Sequence, residues 1–351
     1  MAYTTINKST DYFDTKLHNG NATAKTLAYD FEVDMFWTKM RNDAYPHNVF
    51  DVVRGNNQRL RTNGTNADSV TGNTVSFGNS AGISLGTDSG NYGINKTQTD
   101  GGSQATYVGW GWKAGTGQGS SNTDGSINTT YTSVNTTAGF SICKWTGTGS
   151  NATVGHGLGV APKFIIVKCL SHASEWIVYY GDATDYLKFN EDNATADDST
   201  RWNDTAPTNS VFSLGTQGDI NTSGRTYIAY CFAEKTGFSK IGSYVGNGNA
   251  DGSFIYTGFK PAWIMYKDIS GTSDWYIMDT KRRTFNVTDV RLEANNSDAE
   301  VTGAGDKIDI LSNGFKFRHS SGSFNISGNS YIYMAFGQSL VGSNNVPCTA
   351  R

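Results

Sequence analysis

Three stretches decide how this chain is read: Tyr107-Val-Gly-Trp-Gly-Trp112, Tyr227-Ile-Ala-Tyr-Cys-Phe232 and Tyr331-Ile-Tyr-Met-Ala-Phe336. Positions two, four and six of each are bulky and apolar: Val108, Trp110 and Trp112; Ile228, Tyr230 and Phe232; Ile332, Met334 and Phe336. A strand repeats its side-chain direction every second residue, so this pattern predicts three strands with one face turned into a core. The alternate positions are Gly109 and Gly111, Ala229 and Cys231, and Tyr333 and Ala335, of which only Tyr333 is large. A close neighbour is expected over that small side, whether a second sheet, an adjacent module or another chain.

Upstream of each closing strand a nine-residue block recurs without gaps. It reads Phe31-Glu-Val-Asp-Met-Phe-Trp-Thr-Lys39, then Val160-Ala-Pro-Lys-Phe-Ile-Ile-Val-Lys168, then Phe259-Lys-Pro-Ala-Trp-Ile-Met-Tyr-Lys267. Two blocks in the same order at three places read as an internal triplication. The blocks are apolar on both faces, as a covered central strand would be. The Lys that ends each one is expected to snorkel outward where the strand leaves the core. Gly139-Phe140-Ser141 and Gly237-Phe238-Ser239 mark matching module starts. A further strand follows each block, opening with His47, Trp176 or Trp275. The fold class is therefore all-β, with three tandem sandwich-like modules related by triplication. Module one, divergent, spans 1–113; a Gly/Ser/Thr/Asn-rich linker or arm spans 114–138; module two spans 139–236; module three with a C-terminal tail spans 237–351. The arm's anchors are Ile127, Tyr131 and Val134.

Composition agrees. Gly is abundant at 41 residues and Pro scarce at 5, while 18 Tyr, 18 Phe and 8 Trp supply ring-filled cores. So many aromatics argue against disorder. With 28 basic and 31 acidic residues interspersed, no electrostatic footprint for nucleic acid stands out. No apolar run is long enough to span a bilayer, and the N-terminal stretch reads as lacking a signal peptide. Cys143, Cys169, Cys231 and Cys348 follow neither a C-x-x-C spacing nor the repeat, so they read as free thiols suited to a reducing cytoplasm.

The chemistry-bearing residues form no familiar constellation. The five histidines are scattered, and His156, in a Gly-rich stretch, is expected to be a turn residue with an exposed ring. Neither a phosphate loop nor a nucleophile elbow is present. Two loops, Asp192 to Asp198 and Asn247 to Gly252, offer oxygen ligands without EF-hand spacing. The expectation is no enzyme, no cofactor and no metal site. Tyr131, Trp145 and Trp202 fall outside the shared core strands and are the candidate aromatics for contacting a ligand or partner.

Longer segments carry a resemblance. Asn135-Thr-Thr-Ala-Gly-Phe-Ser-Ile142, Gly147 to Lys163, Tyr227 to Ser239 and Gly242 to Asn249 resemble repeats in structural proteins of tailed bacteriophages, especially marine ones. The opening Asp11-Tyr-Phe-Asp-Thr-Lys16 and the ending Met334-Ala-Phe-Gly-Gln338 are similar to the same family, so the likeness spans nearly the whole chain. It implies a virion component made in the host bacterial cytoplasm and displayed on the particle exterior. The expected role is head decoration or tail-associated fibre component, acting through contacts with other virion proteins as a homo-oligomer. The competing role is a receptor-binding adhesin that recognises a host surface glycan or outer-membrane protein. Neither role involves membrane insertion.

Overall fold

The computed structural model describes residues 4–339 apart from 116, 304, 306 and 321–323; Cys348 therefore lies outside the described residues. The chain is all-β, built from antiparallel sheets with only short helical turns. Three large sheets share one strand order. Each has an opening strand (Phe13–Asn19, Phe140–Thr146, Ser239–Val245), which pairs with a closing strand (Thr106–Trp112, Thr226–Phe232, Ser330–Ser339). Next comes the inner strand of the nine-residue block (Met35–Met40, Phe164–Cys169, Phe259–Asp268). Beyond it lie a fourth (Asn48–Asp51, Trp176–Tyr179, Tyr276–Asp279), a fifth (Gln58–Arg61, Asp185–Lys188, Val290–Glu293) and a short sixth strand (Ser69–Val70, Ala196–Asp197, Val301–Thr302).

Register is the same in all three. Across the first sheet Thr15, Trp110, Trp37, Val49 and Leu60 lie in one row. Ile142, Tyr230, Ile166, Val178 and Leu187 form that row in the second. In the third it is Ile241, Met334, Met265, Ile277 and Leu292. The matched Gly-Phe-Ser tripeptides are one residue out of step, because Phe140 pairs with Phe232 whereas Ser239 pairs with Phe336. Both phenylalanines still reach the core, where Phe140 stacks on Phe232 and Phe238 packs edge-on to Phe336.

Each large sheet carries a small partner sheet on the side of the closing strand's small residues. In the first unit this is Lys25–Ala28 with Gly82–Leu85 and Val75–Ser76; in the second, Ala152–Gly155 with Val211–Leu214; in the third, Phe254–Tyr256 with Gly314–Phe317 and Ile308–Leu311. Three private cores fill these sandwiches. The small residues are needed there: a Cβ on Gly109 would lie 2.6 Å from the Phe36 ring, and one on Gly111 2.8 Å from Tyr29.

The bulky faces point the other way, and all nine alternating residues of the closing strands enter one core common to the three units. Trp263 meets Trp110 and Trp112, Phe336 meets Phe13 and Phe232, and Phe189 meets Trp37 and Trp275. The periodicity predicts an inward face, but it does not say whose core that face enters. The units therefore close into a ring about a shared interior.

The stretch read as a linker or arm supplies a strand. Tyr131–Asn135 pairs with the opening strand of the second sheet, covering its edge. The equivalent edges of the other two sheets end on carboxylates instead. Asp14 accepts the Thr15 N–H and Glu234 accepts the Ile241 N–H, at the positions that match Ile142. Charged residues on an open edge discourage unwanted strand pairing.

Candidate functional site

The junctions between units hold most of the buried polar chemistry, and they repeat. The Asp68 N–H donates to the Leu170 carbonyl, the Thr195 N–H to Ile269 and the Glu300 N–H to Arg41. Donors and acceptors occupy equivalent positions, so unit one leans on two, two on three and three on one. Fourth-strand rings reach back across the same seams: Trp176 donates to the Arg61 carbonyl and Trp275 to that of Lys188, each at 2.9 Å. His47 takes this place between units three and one, where its ring accepts the Trp37 indole N–H and faces Glu293.

The block-ending lysines are a correction. Lys39, Lys168 and Lys267 do not snorkel; all three are fully buried. Lys168 donates to the carbonyls of Ser174 and, across the seam, Thr65. Lys267 does the same with Asp268 and, across the seam, Asp192, whereas Lys39 donates within its own unit to Met40 and Asp43. The strand ends where the next unit begins, so the ammonium meets carbonyls in place of water. Desolvation pulls Lys39 down to about 7, and Lys168 and Lys267 down to about 8.

Two seams also bury an ion pair. Asp51 binds Arg54 and accepts the Tyr230 hydroxyl from unit two at 2.7 Å. Asp279 binds Arg282 and accepts the Trp110 indole N–H from unit one at 3.2 Å. Burial works against the Arg54 charge, but Asp51, Tyr230 and Asp68 outweigh it and hold its pKa above the ordinary value. The polar ring of the closing strand thus matches the carboxylate opposite. At the seam between units two and three both members change: Tyr180 stands in the Asp position, Ala183 in the Arg position and Met334 in the ring position. Tyr180 turns away to bond Thr195 and Asp185.

A cavity of about 480 Å³ opens at this third seam. Lys163, Tyr180 and Asp182 line it from unit two, and Ile241, Ser243 and Ile332 from unit three. Lys163 pairs with Glu234, the residue that caps the opening-strand edge. Sequence reading missed this groove, since a missing charge pair shows only when the three units are set in register.

The candidate aromatics lie elsewhere, and the structure does not bring them together on a surface. Trp145 is fully buried between Tyr227 and Phe212. Trp202, on the Ser199–Trp202 helical turn, is buried against Tyr179. Neither offers a ring to solvent, because the small sheet and helical turn of unit two close over them. Tyr131 is half-buried on the arm strand and packs against the shared core. His156 is also corrected: its ring is buried, with Nε2 donating to the Thr208 carbonyl and Nδ1 accepting the Leu158 N–H. Burial lowers its pKa. Cys143, Cys169 and Cys231 are buried free thiols. Among the described residues no helix is long and apolar enough to cross a membrane.

A family model described as a domain of unknown function, DUF7483, matches residues 8–339. The chain belongs to this family. The match runs through all three units as a single span, as one shared core would lead one to expect. No curated protein matches the sequence.

Proposed function

We propose that the chain is a non-enzymatic structural protein of a tailed-bacteriophage particle, built by internal triplication and displayed on the exterior. Its role is that of a head decoration or tail-associated fibre component acting through protein–protein contacts. The observation that supports this reading best is the fate of the polar and aromatic residues. Two buried Asp–Arg pairs, the buried Lys168 and Lys267 and the indoles of Trp110, Trp176 and Trp275 are engaged in holding the ring of units closed. That spends chemistry on rigidity. The resemblance of the closing and opening segments to phage structural repeats supplies the context.

Mass spectrometry of purified particles separated into heads and tails, with immunogold labelling, tests the proposal. The protein should be found in one fraction at a fixed stoichiometry and be accessible to antibody on intact particles. Its absence from purified particles would overturn the reading. Specific loss of labelled protein from host cells after glycan stripping would point to the adhesin role instead.

A further inference from the structure

We infer that the groove between units two and three is a docking site for an extended polypeptide segment from another protein, which adds as a strand to the edge of Ser239–Val245. The argument comes from the equivalent groove between units one and two, which is already filled. There the arm pairs its Tyr131–Asn135 strand with the opening strand Phe140–Thr146. The arm's Gln118 side chain donates to the Val53 carbonyl, and its Ala114 N–H donates to Asp34. Set in register, Asp34 corresponds to Lys163, Val53 to Asp182, and Ile142 and Lys144 to Ile241 and Ser243. Lys163, Asp182, Ile241 and Ser243 all line the cavity. The positions that hold the arm at one seam thus line an open groove at the other.

Chain length explains the difference. The connection from the closing strand of unit one to the opening strand of unit two runs from Trp112 to Phe140 and carries the arm, whereas that from unit two to unit three runs only from Phe232 to Ser239. So short a link cannot fold back to fill its own groove, and among the described residues no other segment of this chain fills it; the inferred occupant is therefore a segment of another chain.

An occupant in the arm's register displaces Glu234, which otherwise takes the outward N–H of Ile241 and pairs with Lys163, and strand alternation points the N–H groups of Ser243 and Val245 to the same side. Backbone pairing would supply affinity, and the groove would select side chains. One exchange sets the chemistry of the occupant. Where Asp34 accepts an N–H from the arm, Lys163 offers a cation. The segment that fits alternates small polar and β-branched residues, as Tyr131–Asn135 does, and sets an acidic residue against Lys163.

The inference does not depend on a virion role, and its test uses no particles. A synthetic peptide with the sequence of residues 129–136, and an analogue ending in Asp, are added at millimolar concentration to the full chain, and amide hydrogen exchange is followed. Exchange at residues 241–245 should slow by about tenfold, more with the acidic analogue. Ser243→Pro should abolish the effect while leaving the melting transition in place, because Pro is tolerated where an edge N–H faces outward. Lys163→Glu, a second variant, should remove the preference for the acidic analogue. No slowing at 241–245, slowing only at 140–146, or protection that survives in Ser243→Pro would overturn the inference. Protection by a host polysaccharide and not by either peptide would overturn it in favour of a sugar site.

Discussion

Trp263→Ala tests whether the three units stand or fall together. Trp263 is fully buried on the inner strand of unit three, with its ring 5.7 Å from Trp112, 5.8 Å from Phe336, 6.1 Å from Phe13 and 6.5 Å from Trp110. Its indole N–H has no hydrogen-bond partner, so truncation orphans no polar group and the cost is one of packing. Removing ~200 Å² of buried aromatic surface at ~25 cal/mol/Å² gives about 5 kcal/mol, the upper part of the range for aromatic truncation in cores. Trp263→Phe keeps most of that contact and should cost less than half as much. Denaturant unfolding measures the magnitude, and residue-resolved hydrogen exchange measures its distribution. A common core predicts one transition, with slow-exchanging amides in all three large sheets losing the same protection. If the inner strand Phe164–Cys169 of unit two kept its wild-type protection, the reasoning would be refuted.

Three further expectations concern buried charge. Arg54→Met leaves Asp51 buried without its cation and should cost about 3–5 kcal/mol in denaturant unfolding, whereas Met at an exposed Arg would cost almost nothing. Lys168 titrates at about 8 in the fold against 10.5 when exposed. Between those values the unfolded chain holds more protons, so stability should rise with pH; Lys168→Met should remove about 1.4 kcal/mol per pH unit of that slope. Asp34 has the opposite sense: it accepts the arm's Ala114 N–H through one oxygen, its other oxygen is unpartnered, and burial raises it to about 8. The native state then holds the extra proton between about pH 4 and 8. Stability should fall with rising pH across that window, and Asp34→Asn should flatten the fall in pH-dependent melting curves.

The strand faces were legible because a period of two is local information: nine residues in three closing strands reported their own direction. What they faced was not. A strand alternates in the same way over a private sandwich and over a common interior, and only contacts far apart in sequence distinguish the two. The lysines show the same limit. Snorkelling is the ordinary fate of a strand-ending Lys, yet Lys39, Lys168 and Lys267 end the same block in every unit, and a solvated Lys needs no such fidelity. That recurrence was the available signal. His156 is unique to unit two, so no comparison between units could flag it, whereas Trp145 holds the place of His18 and Tyr244, rings that likewise stack on the first tyrosine of the closing strand. The groove at the third seam needed the most context, because it arises from what Tyr180, Ala183 and Met334 replace.

The ring closes last at its first residues. Arg41 grips Glu300 through two hydrogen bonds, and Trp110 finds its acceptor in Asp279. During synthesis the first two units leave the ribosome with the part of their aromatic faces that meets unit three bare, and it stays so until the final third is made. Such nascent intermediates are prone to aggregate. Premature termination before about residue 300 should therefore yield a sticky product in need of chaperones rather than a shorter working protein. Selection on this gene would then act on the speed and completeness of translation as much as on the finished fold.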